Sequence, residues 1–114
     1  METTQNQVQR GRTVLLNALP LNIFPRHALV LRVQPLNAEE LARFANIVHY
    51  IRHSSTVAAL RTVLPSLPDA NSGIYRYEEG DRIIVITLRV PQRGQEVAVR
   101  LEDLDMWLIE VEQN

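Results

Sequence analysis

The order in which strand-like and helix-like runs succeed one another constrains this chain more than any single motif. TVLLNAL (13–19) is almost wholly apolar and reads as a buried strand, ended by the loop chemistry of Asn17, Pro20 and Asn22. ALVLRVQ (28–34) alternates, with Leu29, Leu31 and Val33 on one face and Pro35 closing it. NAEELARFANIVHYI (37–51) reads as a helix. Asn37 and Glu40 make a capping-box pattern, and Leu41, Phe44, Ala45, Val48 and Ile51 form one apolar stripe. His49 and Tyr50 fall off that stripe, and His27 and His49 are expected at the surface. After a break at Arg52 and His53, a second helix is expected over roughly 55–64, burying Val57, Leu60, Val63 and Leu64 and stopped by Pro65. PSLPDANSG (65–73) is loop-like. GIYRY, the turn EEGD and RIIVITLRV read as a hairpin, and VPQRGQ (90–95) as a polar loop. EVAVRLEDL fits a strand or a short helix, and MWLIEVE (106–112) alternates as a last strand. The order β-β-α-α-β-β-β lacks the regular alternation of a doubly wound α/β fold. It predicts an α+β domain: one mixed β-sheet of about five strands with two main helices packed largely on one face.

A length of 114 residues suits a single domain, here 13–114 behind a polar leader, 1–12. No stretch approaches the roughly 18 apolar residues of a membrane span, and METTQNQVQR lacks a signal-peptide core. The expectation is a cytoplasmic protein with no membrane partner. The absence of cysteine excludes disulfides, zinc–thiolate sites and thiol catalysis. A net charge of −1 argues against the global basic field of many DNA- and RNA-binding proteins. All twelve cationic side chains are Arg, whose fork suits phosphate or carboxylate, although compositional bias or heat adaptation gives the same excess.

Three constellations carry possible chemistry. In IRHSSTVAALRTVL (51–64), His53 stands at the start of a helix, followed by Ser54, Ser55 and Thr56. Unpaired N–H groups and hydroxyls there can hold an anion, and a charged histidine could protonate an oxygen leaving a phosphate. Plain helix capping explains the same residues. The loop LRVPQRGQEV (88–97) gathers Arg89, Arg93 and Glu96: Arg could clamp a phosphate and Glu orient a sugar hydroxyl, or the loop is simply solvated. Asn17 and Asn22 are turn formers that could equally read an adenine edge. The three histidines are not at metal-ligand spacing, so no metal or other cofactor is expected. Walker, GxGxxG, GxSxG and HExxH signatures are absent.

Taken together, VLLNALPLN (14–22), LNAEELARF (36–44), IRHSSTVAALRTVL, NSGIYRYEEGDRIIVITL (71–88) and MWLIEVE resemble the archaeal-virus B116-like proteins. That small viral and prophage family includes the viral ring nucleases, anti-CRISPR proteins that act against type III systems. The likeness runs over residues 13 to 112, carried by the order and spacing of these pieces. It implies a homodimer that holds a cyclic oligoadenylate second messenger, most often cyclic tetra-adenylate, at its interface. Cleavage would need no metal: the substrate's 2′-hydroxyl attacks the neighbouring phosphate, a 2′,3′-cyclic phosphate forms, and the 5′-oxygen leaves. The resemblance makes His53 the acid and puts Asn17, Asn22 and Asn71 against the ligand.

Three departures stand out. Arg52 replaces the family's glycine before the histidine, Ser72 replaces a basic residue, and VPQRGQEV does not match the family's Arg-plus-Glu loop cleanly. Arg89 or Arg93, with Glu96, would serve there, and Arg52 could supply the charge missing at 72. The implied function is a ring nuclease that switches off type III signalling. The alternatives are a sponge or sensor that binds a cyclic nucleotide uncleaved, and a small viral DNA- or RNA-binding dimer.

Overall fold

The computed structural model describes residues 11–89 and 99–112. Five strands form one mixed sheet: β1 (Thr13–Leu16), β2 (Val30–Leu36), β3 (Ile47–His49), β4 (Arg82–Leu88) and β5 (Leu104–Glu112), in the spatial order β2-β5-β4-β1-β3. Two short helices, α1 (Ala38–Leu41) and α2 (Ser54–Leu60), and 3₁₀ turns at Leu21–Ile23 and Leu101–Asp103 complete the regular structure among the described residues. The α+β class, the mixed five-stranded sheet and the two helices are those read from the sequence.

β1 lies between two parallel neighbours, β3 and β4, and all four of its residues are buried. That is why TVLL shows no alternation: both faces of a central parallel strand are covered. β5 runs antiparallel between β4 and β2. Side chains then sort by parity. Leu15, Ile84, Ile86, Met106 and Leu108 join Ala59 and Leu60 of α2 in the helix-side core. Val14, Leu16, Ile83, Val85 and Ile109 face the other way, covered by Ile23 from the first 3₁₀ turn and Tyr75 from the irregular segment before β4.

Several expectations are corrected. The stretch 37–51 is not one helix. The capping box forms, with Glu40 N–H donating to Asn37 Oδ1 at 2.8 Å and Asn37 N–H to Glu40 Oε1 at 2.9 Å, but α1 stops after four residues. Asn46 takes a left-handed φ of 56°, and Ile47–His49 pairs with β1 instead. The β-branched Ile-Val pair suits a strand, and the sheet bonds it gains are long-range ones that no helical stripe reveals. Phe44 and Ile47 pack into the helix-side core while Val48 packs on the opposite side, so the apparent stripe is split between two faces.

Pro35 does not end β2. The strand continues to Leu36 because, among the described residues, β2 is an edge strand bonded to β5 alone, where proline is tolerated. β1 ends at Leu16 rather than residue 19, and α2 spans Ser54–Leu60 rather than 55–64, its last turn tightening before Pro65 through Val63 N–H to Leu60 O. GIYRY forms no hairpin arm; β4 finds its partners in β1 and β5. The Gly80–Asp81 turn is real, with Gly80 at φ 95°, and a Cβ on Gly11 would run into the Gly80 carbonyl oxygen. In EVAVRLEDL the described part, 99–104, holds the 3₁₀ turn at Leu101–Asp103, and β5 begins at Leu104, ahead of the expected 106.

Candidate functional site

Because β1, β3 and β4 are parallel, their carboxyl ends line one edge of the sheet, the edge at which open sheets of parallel strands present their binding loops. Asn17 follows β1 directly, Tyr50 to His53 follow β3, and Arg89 follows β4. The loop after α2 returns to the same edge: Asn71 N–H donates to the His49 carbonyl at 2.8 Å, and Arg52 Nη2 reaches the Gly73 carbonyl at 3.3 Å. The fold thereby gathers Asn17, Arg52, His53, Ser54 and Asn71, all exposed.

His53 is the N-cap residue of α2, but its ring makes no capping bond. Its Nδ1 lies 3.2 Å from Thr56 Oγ1, and its carbonyl accepts the Val57 N–H at 3.1 Å. Nε2 has no partner among the described residues. The Thr56 side chain is buried, so this hydroxyl serves the His53 ring rather than open solvent, while Ser54 is exposed and Ser55 half-buried. Asn22 sits in the 3₁₀ turn at Leu21–Ile23, exposed.

Arg89 is placed differently. Leu16 pairs with Val85, so β4 runs three residues beyond β1, about 10 Å at strand rise. Arg89 then turns toward β5, with Nε donating to Asp105 Oδ1 at 3.0 Å and Nη2 to the Leu104 carbonyl at 3.4 Å. It lines a cleft of about 480 Å³ with Leu36, Asn37, Asp105 and Trp107, apart from His53. Within one protomer the structure therefore does not bring Arg89 to His53. Arg93 and Glu96 lie outside the described residues.

Two polar features escaped the sequence reading. His49, expected at the surface, is completely buried at the end of β3, because the strand that replaces the helix turns it inward. His27 is exposed as expected. At the opposite edge, the buried Asp81 side chain accepts from Arg12 Nε and Nη2 (3.2 and 2.8 Å), Tyr75 Oη (2.6 Å) and the Glu78 N–H (3.2 Å). The Asp81 bond raises the Arg12 guanidinium above its ordinary value. Burial, and then the Asp81 bond, push the Tyr75 phenol well above its ordinary range. No helix among the described residues is long and apolar enough to cross a membrane.

No protein-family model and no curated protein matches the chain. Among solved structures it is similar to B116 of Sulfolobus turreted icosahedral virus. The TM-score is 0.67 and the identity 16%, over 87% of this chain and 98% of that one. At that identity the likeness establishes a shared fold.

Proposed function

We propose that the chain is a metal-independent ring nuclease that cleaves a cyclic oligoadenylate, cyclic tetra-adenylate foremost, and so switches off type III CRISPR signalling. The observation that carries this reading is the state of His53. It is an exposed imidazole with Nδ1 held by Thr56, Nε2 open, and Arg52, Asn17 and Asn71 on the same sheet edge. A phosphodiester with its own 2′-hydroxyl needs alignment, charge neutralisation and a proton for the leaving oxygen. Arg52 supplies charge, the two asparagines can hold adenine edges, and His53 Nε2–H donates to the departing 5′-oxygen. Its other nitrogen is meanwhile steadied by the Thr56 hydroxyl.

Asn17, Arg52, His53 and Asn71 are exposed on a single protomer. Leu21 and Ile74 are 76% and 79% exposed beside Asn22 and Gly73. Such apolar groups at the rim of a polar site fit coverage by a second copy, and the reading is of a homodimer with the ligand between its two edges.

Purified protein with labelled cyclic tetra-adenylate and EDTA, run beside His53→Ala, tests the proposal. Linear products ending in 2′,3′-cyclic phosphate from wild type, with the variant crippled, are expected. The hold of Asp105 and Leu104 on Arg89 favours a second reading, a binder that sequesters the ring uncleaved. Saturable binding without product would establish it and remove the nuclease.

A further inference from the structure

We propose that His49 is the positioning residue of the carboxyl-edge site, fixed as the neutral Nε2–H tautomer and acting through His53 on one side and Asn71 on the other. The assignment of that edge as the site is the premise. The ring is 0% exposed, and its partners assign its protons. Nε2 lies 2.7 Å from the Pro68 carbonyl, which can only accept, so Nε2 carries hydrogen. Nδ1 accepts the Ile51 N–H at 3.2 Å, so Nδ1 is bare.

Each bond steers a different limb of the site. The Ile51 bond fixes the backbone two residues before His53, in the turn that delivers His53 to α2. The Pro68 bond, with the His49 carbonyl accepting Asn71 N–H, clamps the returning loop at two points, just before Gly73 receives Arg52. Among the described residues, the charged groups that meet this knot are Arg61, the C-cap residue of α2, and Asp69 from the loop. Arg61 Nη2 shares the Pro68 oxygen at 3.3 Å and pairs with Asp69 at 3.3 Å, while β1 offers apolar Leu15 opposite His49. An apolar residue of similar size would fill the space but would leave the two limbs independent. The imidazole ties them into one piece.

Two substitutions separate the limbs. His49→Asn places an oxygen near the position of Nδ1 and keeps an acceptor for Ile51 while releasing Pro68. His49→Gln carries an amide donor to Pro68 and leaves Ile51 without its acceptor. Ring-nitrogen NMR of the full wild-type chain at neutral pH should show the Nε2–H tautomer; this needs no variant, and an Nδ1–H ring overturns the proposal. Amide exchange at Asn71 should quicken about tenfold in the Asn variant alone, and at Ile51 by a similar factor in the Gln variant alone. Equal quickening of both amides in both variants, or of neither, reduces His49 to filler. With cyclic tetra-adenylate, His49→Asn should raise KM and His49→Gln should lower kcat, each about tenfold. If wild type leaves the ring intact, the nuclease reading fails, while tautomer and exchange still decide the role of His49.

Discussion

The two ends of the sheet are both polar, but they treat their polar groups in opposite ways. At the amino end, Asp81 is 3% exposed in its side chain and accepts four hydrogen bonds, from Arg12 twice, Tyr75 and Glu78. Those groups answer one another, and they tie the start of β1 to the start of β4 along with the Arg82 N–H bond to the Arg12 carbonyl. At the carboxyl end, Asn17, Arg52, His53 and Asn71 are exposed, and Nε2 of His53 has no partner among the described residues. A buried charge is tolerated when its lone pairs are used, and an exposed polar cluster with spare donors is what a ligand needs. On the proposed function, the amino end would serve stability and the carboxyl end binding.

The largest effect should appear at the carboxyl end, chiefly in activity. His53→Ala should lower ring cleavage by about 10²- to 10⁴-fold, the range of a lost general acid. Its exposed ring makes no cap bond, and the buried Thr56 hydroxyl loses its ring partner, so the cost in unfolding free energy should be no more than about 1 kcal/mol. A larger loss of stability in urea titrations would blur the division between the ends. Asp81→Ala should behave in reverse, costing about 3 kcal/mol of stability, the low end for breaking a buried pair. The low end applies because Arg12, 35% exposed, can turn back to water, while the Tyr75 hydroxyl cannot. If the folded fraction of that variant still cleaves at the wild-type rate, the amino end is purely structural.

The same contrast explains what the sequence disclosed. Local signals were legible: the Asn37–Glu40 capping box, the Gly80–Asp81 turn, the unalternating β1 and the alternating β5 all formed. His53 at a helix start was legible too, because a cap position is defined by its near neighbours. What misled was pairing at a distance. Ile47–His49 is a strand because β1 lies beside it, and GIYRY is irregular because β4 pairs elsewhere. His49 was misplaced as a direct result: a residue off a helical stripe points outward, whereas the same residue on β3 points in. The β-branched Ile47 and Val48 after an asparagine able to adopt positive φ were the available hint. Asp81 likewise looked like turn chemistry, since nothing nearby announced Arg12 as its partner across 69 residues.

A smaller effect tests the amino end through pH. The Tyr75 phenol is raised above its unfolded value of about 10. The sign follows from linkage: below about pH 10 both states keep the proton and the contribution of the neutral hydroxyl is fully present. Above it the unfolded chain ionises first and stability is lost. Denaturant titrations should therefore show wild type losing up to about 1.4 kcal/mol per pH unit more than Tyr75→Phe above pH 10, and no such difference in slope near neutrality. Equal slopes would mean that Tyr75 ionises in place, against Asp81.

The smallest effect concerns an exception at that end. Thr13 starts β1 completely buried, and its Oγ1 is the buried side-chain oxygen without a partner among the described residues. Every neighbour in the Asp81 cluster is satisfied, so this hydroxyl stands out as the polar group the amino end fails to use. Thr13→Val keeps the shape and the strand preference while removing the orphan, and it should be neutral or stabilising by up to about 1 kcal/mol in urea titrations. A loss of 1 kcal/mol or more would show that the hydroxyl holds a buried water or another acceptor. The amino end would then be saturated throughout, and the separation between a self-satisfied end and an open one would be sharper still.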